Sequence, residues 1–286
     1  MKPQSEFPIV RNPVLPAKAR AAMPHHVAST ATSPGGSPGS IRDQAFRLPL
    51  AALVLLLLLL STLASMADTA PLFSSLLPGQ DLPKEFRIVT LPHVAHNRFA
   101  LVTDEGKTVL RVASANSAGS TLLPITAAGS GEAGITVLEW RWKVDRVLEK
   151  ADMEDKLGDD HAARVYVFFD VPLESLSFVE RSKIRITRMV SGADVPTAAL
   201  CYVWDNKHRI GYTAWSPYTS RMRKIVLQSG AEHVGQWMAE SRNVAADFRE
   251  AFGFDAPAVT GVAVGNDSDN TDARVTSWFG DIVLHP

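Results

Sequence analysis

Residues 138–170 carry the clearest alternation in the chain. Leu138, Trp140, Trp142 and Val144 fall on one face of an extended segment, and Glu139, Arg141 and Lys143 on the other. A second alternating segment sets Val165, Val167 and Phe169 opposite Arg164, Tyr166 and Asp170. Between them lies Lys156-Leu157-Gly158-Asp159-Asp160-His161, a dense run of ionisable groups. Both segments read as strands, joined by an acidic connector.

The same pattern extends outward. Residues 85–90 read as a short edge strand. Residues 99–103 and 108–113 read as a hairpin, with Gly106 supplying the positive φ of the turn. Small and polar residues over 119–134 suit loops and one short strand. Leu176, Val179, Lys183, Ile186 and Val190 recur at three and four residues, which predicts a helix over 173–190. Residues 198–205, AALCYVWD, form a buried strand, and 224–229 another, preceded by the basic run Arg221, Arg223, Lys224. Asn243 is placed to cap a short helix over 244–252, ended by Gly253. Residues 258–265 and 275–284 read as the last strands, around the polar loop NDSDNTD. Strands outnumber helices without regular strand–helix alternation, and no nucleotide-loop, nucleophile-elbow or zincin motif occurs. The expected class is mainly β: a two-sheet antiparallel β-sandwich, jelly-roll-like, with one or two short helices.

Composition changes the picture at the N-terminus. Residues 1–47 are rich in Pro, Ala, Ser and Gly and read as a disordered leader. Residues 48–67 hold the apolar run Leu48–Leu60, with Arg42 and Arg47 before it and small residues after it. That is the pattern of a secretory signal, and Ser65-Met66-Ala67 offers a cleavage site before Asp68. The expectation is an exported protein, periplasmic or secreted, with no stable membrane span after cleavage; an uncleaved N-terminal anchor is the alternative. Residues 68–98 read as a lead-in and 99–286 as a single β-sandwich domain. Cys201 is the only cysteine, so no intrachain disulfide forms. A formal net charge of −1 argues against a nucleic-acid partner.

Several segments together resemble an uncharacterised bacterial family, domain of unknown function 3047. They are KLGDDHAARVYVFFD (156–170), LCYVW (200–204), RMRKIVLQSG (221–230), RNVAADFREAFG (242–253) and NDSDNTDARVTSWFGDIVL (266–284). The resemblance implies an exported β-sandwich and brings no established reaction. Its pattern implies Gly158-Asp159-Asp160 with Arg164, and Asp267, Asp269, Asn270 and Thr271. The family often has Gly where this chain has Asp272.

Candidate chemistry gathers on those residues. Asp267, Asp269 and Thr271 make an oxygen-rich loop of the kind that hard cations such as Ca²⁺ use, although the spacing is not that of an EF-hand. The alternative is a loop whose Asp, Asn and Thr side chains bond their own backbone. Asp159 and Asp160, close in sequence to Arg164, suit either a structural ion pair or an acid and base set apart by burial. Arg164 is expected beside one of those two carboxylates. The ligand contacts expected are Asp159, Asp160, Arg164, Asp267, Asp269, Asn270 and Trp215, the last an exposed loop aromatic suited to stacking on a sugar. The basic run at 221–224 reads as a solvated strand edge or as an anion contact. Arg242 and Asp247 read as a structural pair. Three functions stay open: a sandwich binding a polar ligand such as a saccharide or cell-envelope glycan, a glycan-acting enzyme pairing Asp159 or Asp160 with Asp267 or Asp269, and a structural envelope protein without a small ligand.

Overall fold

The computed structural model describes residues 71–125, 134–191 and 196–286. The leader, the apolar run and the expected cleavage site lie outside the described residues. No described helix is long and apolar enough to cross a membrane.

Two sheets pack face to face. The larger runs β1 (Arg87–Val89), β5 (Ser117–Pro124), β12 (Val259–Asp267), β7 (His161–Phe169), β8 (Ala198–Asp205), β10 (Thr219–Ser229) and β9 (Thr213–Ser216), with β2 (Ala95–His96) also on β5. The smaller runs β11 (Met238–Asn243), β6 (Val137–Val144), β13 (Arg274–Phe279), β4 (Lys107–Ala115) and β3 (Arg98–Asp104), with β14 (Val283–His285) on β6. The expected β-sandwich is present, with most pairings antiparallel. The larger sheet is mixed: β10 lies parallel to β8, and β2 parallel to β5. The β3–β4 turn carries Glu105 at φ 48° and Gly106 at φ 75°, the two positive values that a two-residue hairpin of right-handed twist requires.

The core is aromatic and lies between the sheets. Trp142 of β6 meets Trp204 of β8 at 5.9 Å, and Trp140 meets Tyr202 at 5.3 Å. All four are buried, each contributing on the order of 1.5–3 kcal/mol. Two helices close the remainder, α1 (Phe178–Ser191) and α2 (Val244–Phe252). Phe248 of α2 packs on Phe169 at 4.6 Å. Asn243 Oδ1 accepts from the Ala246 amide at 2.8 Å, and Gly253 ends the helix at φ 81°, as its sequence predicts. The pair Arg242–Asp247 forms as expected, with Tyr202 donating its hydroxyl to the same carboxylate at 2.7 Å.

Four details depart from the sequence reading. The lead-in is built into the sandwich: besides the edge strand expected at 85–90, present as β1, it supplies β2, and Phe73 stacks on Phe86 in the core. The helix expected from 173 begins at Phe178. A 3-10 turn over Leu173–Ser175 precedes it, and a capping box sets the start: the Ser177 hydroxyl accepts from the Glu180 amide at 3.3 Å and the Glu180 carboxylate from the Ser177 amide at 3.2 Å. The final strand splits at Gly280, where a Cβ would run into Arg141. The stretch at 119–134, read as loops and one short strand, opens with most of β5, an eight-residue strand paired on both sides. β5 and β12 approach closely: at Gly265 of β12 a Cβ would collide with the Gly119 carbonyl and with Ser120.

Candidate functional site

Register brings the two acidic motifs together. β12 pairs with β7 so that Asp267 stands opposite His161, and the connector entering β7 meets the loop leaving β12. Asp160 accepts from the Thr271 amide at 2.7 Å, the Thr271 hydroxyl at 2.6 Å and the Asn270 amide at 3.2 Å, so it braces the 268–273 loop. Asp267 accepts from the His161 amide at 2.8 Å and forms an ion pair with Arg164. Asp159 forms a buried ion pair with Lys224, whose ammonium also donates to the Met153 carbonyl at 2.8 Å. His161 lies between, with Nδ1 3.7 Å from Asp159 and 3.9 Å from Asp267, and neither ring nitrogen has a hydrogen-bond partner.

Burial dominates the electrostatics here. It pushes the Asp267 carboxyl up to about 7; the Arg164 charge opposes this, while Asp160 and Asp159 add to it. Asp269 is raised from its ordinary value by burial and by Asp160. His161 is held well below its ordinary value by burial, then by the Lys224 and Arg164 charges, so it is neutral. The oxygens of Asp160, Asp267 and Asp269 lie within 4.8 Å of one another, close enough to share a cation. A second group, Asp152, Glu154 and His208, meets the same geometric condition nearer the surface, with Lys207 2.7 Å from Asp152.

Arg164 also faces outward, onto a groove that the sequence reading did not identify. This groove, of about 530 Å³, lies on the outer face of the larger sheet. Its floor is Ala118, Gly119, Ser120 and Ala263, small residues of β5 and β12. One wall is Arg87, Val89 and Leu91. The other is Arg164, Tyr166, Phe168 and Asp170, the outward positions along and just beyond β7, with Met222 and Pro196 behind. Tyr166 and Phe168 are half-buried and stacked, with centroids 5.6 Å apart and planes at 12°. The Arg164 guanidinium lies 5.2 Å from the Tyr166 ring.

The expected site residues thus divide. Asp159, Asp160, Arg164, Asp267, Asp269, Asn270 and Thr271 converge at one end of the sandwich. Arg164 pairs with Asp267, not with Asp159 or Asp160 as expected, because Lys224 reaches Asp159 first. Lys224 is itself a correction. It sits in the run read as a solvated strand edge, yet it is 2% exposed. Thr271 donates its hydroxyl to Asp160. Trp215 does not join the cluster. It lies on edge strand β9 rather than in a loop, beside Arg223, on the face opposite Lys224. Phe252 at 5.4 Å and the Arg223 guanidinium at 4.9 Å cover part of its ring. Tyr218 stands closer to the acids, bonding the Lys156 carbonyl at 2.8 Å and the Asn270 side chain. Tyr166 and Phe168 were legible as outward positions of an alternating strand; the missing signal was that they line a groove, half-buried.

A search of curated proteins finds no match. Among solved structures, the chain is similar to the xyloglucanase domain of NopAA, a type three effector from Sinorhizobium fredii, in complex with cellobiose. That similarity has 10% identity and a TM-score of 0.38, over 76% of this chain and 96% of that one. The cellulose-induced protein Cip1 is similar at 11% identity and TM-score 0.30, over 70% and 90%. A loop-swap mutant of Xyn11A from Necallimastix patriciarum is similar at 11% identity and TM-score 0.32, over 73% and 94%. The family described as a protein of unknown function, DUF3047, matches residues 84–283, a span that takes in both acidic motifs and every wall of the groove. The chain belongs to the DUF3047 family.

Proposed function

We propose that this protein binds a saccharide along the outer groove of its larger sheet. The observation that carries the reading is the stacked Tyr166–Phe168 pair, two half-buried rings that line the groove beside a floor of small residues. Large rings at outward strand positions normally cover a neighbour or are covered. Here they present apolar faces, which suit the C–H faces of sugar rings, with polar groups at both ends of the wall. The volume is that of an ordinary ligand site. From Arg164 to Asp170 the wall runs roughly 20 Å, long enough for a short chain of sugar units. The leader's signal-like pattern supports meeting such a ligand outside the cytoplasm, in the envelope or beyond.

The acid cluster supports this site more than it supports catalysis. Asp159 is held by Lys224 and Asp160 by three donors from the loop, so neither stands free to act as acid or base. A Ca²⁺ ion shared by Asp160, Asp267 and Asp269 is a second reading, favoured by the three carboxylates whose oxygens lie within 4.8 Å of one another. It predicts a higher melting temperature with Ca²⁺ and a lower one with EDTA; superimposable melts would remove it.

The groove reading is tested with an immobilised glycan panel, followed by calorimetry on the hits. Tyr166→Ala and Phe168→Ala should each weaken binding by about tenfold or more while circular dichroism stays unchanged. Binding that ignores both substitutions would overturn the reading. So would a panel with no hit, which favours a structural envelope protein.

A further inference from the structure

We infer that the groove selects an acidic saccharide, a chain bearing carboxylates, through Arg164 and Arg87. This rests on the groove being the saccharide site. Arg164 is 12% exposed and lines the groove, yet its guanidinium is only partly used. Nη1 is engaged by Asp267, while Nε is buried with no hydrogen-bond partner among the described residues. Arg164 lines the groove, so a group arriving there meets the part of its side chain that stays exposed. The fork of an arginine matches a carboxylate in particular.

Arg87 is the second cation. It is exposed on β1 and forms no ion pair or side-chain hydrogen bond among the described residues. The register Arg87–Leu122–Ala263–Tyr166 places it directly across the floor from Tyr166. That is three strand spacings, roughly 14 Å between backbones. Both side chains can therefore bracket one ligand chain lying on the floor. Asp159, Asp160, Asp267 and Asp269 do not line the groove, but Asp267 offsets much of the Arg164 charge, which leaves Arg87 as the groove's unpaired cation among the described residues. Asp170 does line it, but at the far end of the wall, six residues along from Arg164.

Calorimetry with hexamers of galacturonate and of glucuronate, each against its carboxyl-reduced counterpart, tests the inference. The expected result is about tenfold or greater preference for at least one acidic chain, diminished by added salt. Arg87→Gln, at an exposed position that leaves the fold intact, should remove most of that preference and spare binding of the reduced chain. Equal binding of acidic and reduced chains would overturn the acidic preference while leaving the saccharide site standing. An acidic preference unchanged in Arg87→Gln would overturn the bracketing role. Absence of binding by every chain, with the glycan panel also blank, would sink the groove reading itself.

Discussion

The outer face of the larger sheet is treated in two ways along its width. Over β8, β10 and β9, Cys201, Val203, Val226 and Ala214 are buried beneath Met153 of the 145–160 connector. The Lys224–Asp159 pair is sealed beside them. Over β1, β5, β12 and β7 the corresponding positions form the groove. Both halves come from strands that alternate inward and outward in the same way. Alternation decides which side chains leave the core, and the connector decides which of those stay in contact with solvent. The covered half needs its charges neutralised inside the protein. The open half keeps two rings and two guanidiniums facing outward, which folding alone does not require.

The largest expected effect lies in the covered half. Lys224→Ala leaves the Asp159 carboxylate buried without its partner and should cost about 3–5 kcal/mol in urea unfolding. Replacing both members, Lys224→Met with Asp159→Leu, should recover most of that loss, since a well-packed apolar substitute for a buried pair is often neutral. Tyr166→Ala in the open half should cost less, about 2 kcal/mol, because its half-buried ring loses packing and stacking but leaves no uncompensated buried charge. If the two halves lose stability equally, the division is wrong.

A smaller effect concerns pH. The folded-state value of Asp267, about 7, lies above that of an unfolded aspartate. The native state therefore holds the proton longer, and the associated stability is fully present below roughly pH 4. It should be lost as pH rises through about 7. Urea midpoints between pH 5 and 8 should fall with rising pH in the wild type, and the slope should flatten in Asp267→Asn. A wild-type slope unchanged by that substitution would assign the titration to another group.

The smallest effect tests a departure from the family pattern. Asp272 sits at φ 50°, left-handed backbone in which glycine carries no side-chain penalty. The frequent family glycine thus has a conformational reason, and the loop keeps that conformation here with Asp in place. Asp272→Gly should raise stability by at most about 1 kcal/mol, read from thermal melts. A clear loss would mean that the Asp272 side chain matters to the loop.

Much of this was legible in the sequence, for reasons that can be named. Trp140, Trp142, Val165 and Val167 alternate strictly and lie in the core. Asn243 and Gly253 carry local capping chemistry and bound their helix. The union of Asp159–Asp160 with the Asp267 loop was expected from their shared polarity, and register delivers it. What stayed hidden depends on long-range placement. β5 is masked by Ala118, Gly119 and Ser120, small residues of low strand propensity that long-range pairing nonetheless draws between β1 and β12. Lys224 looks like any strand-edge lysine until a connector some 65 residues earlier brings Asp159 over it. Asn266 looked like a loop residue, but it is wholly buried and donates to the Val112 carbonyl at 3.0 Å and the Ser277 hydroxyl at 2.8 Å, tying the two sheets together.

Whether the open half is the ligand face is tested most directly by amide chemical-shift mapping during titration with the acidic hexamers and their reduced counterparts. The groove predicts that shifts concentrate at Gly119, Ala263, Tyr166 and Phe168, while the amides around Met153 and Lys224 stay still. Shifts confined to the opposite sheet, around Arg141, Trp237 and Trp278, would contradict it, as would a titration that moves no amide at all.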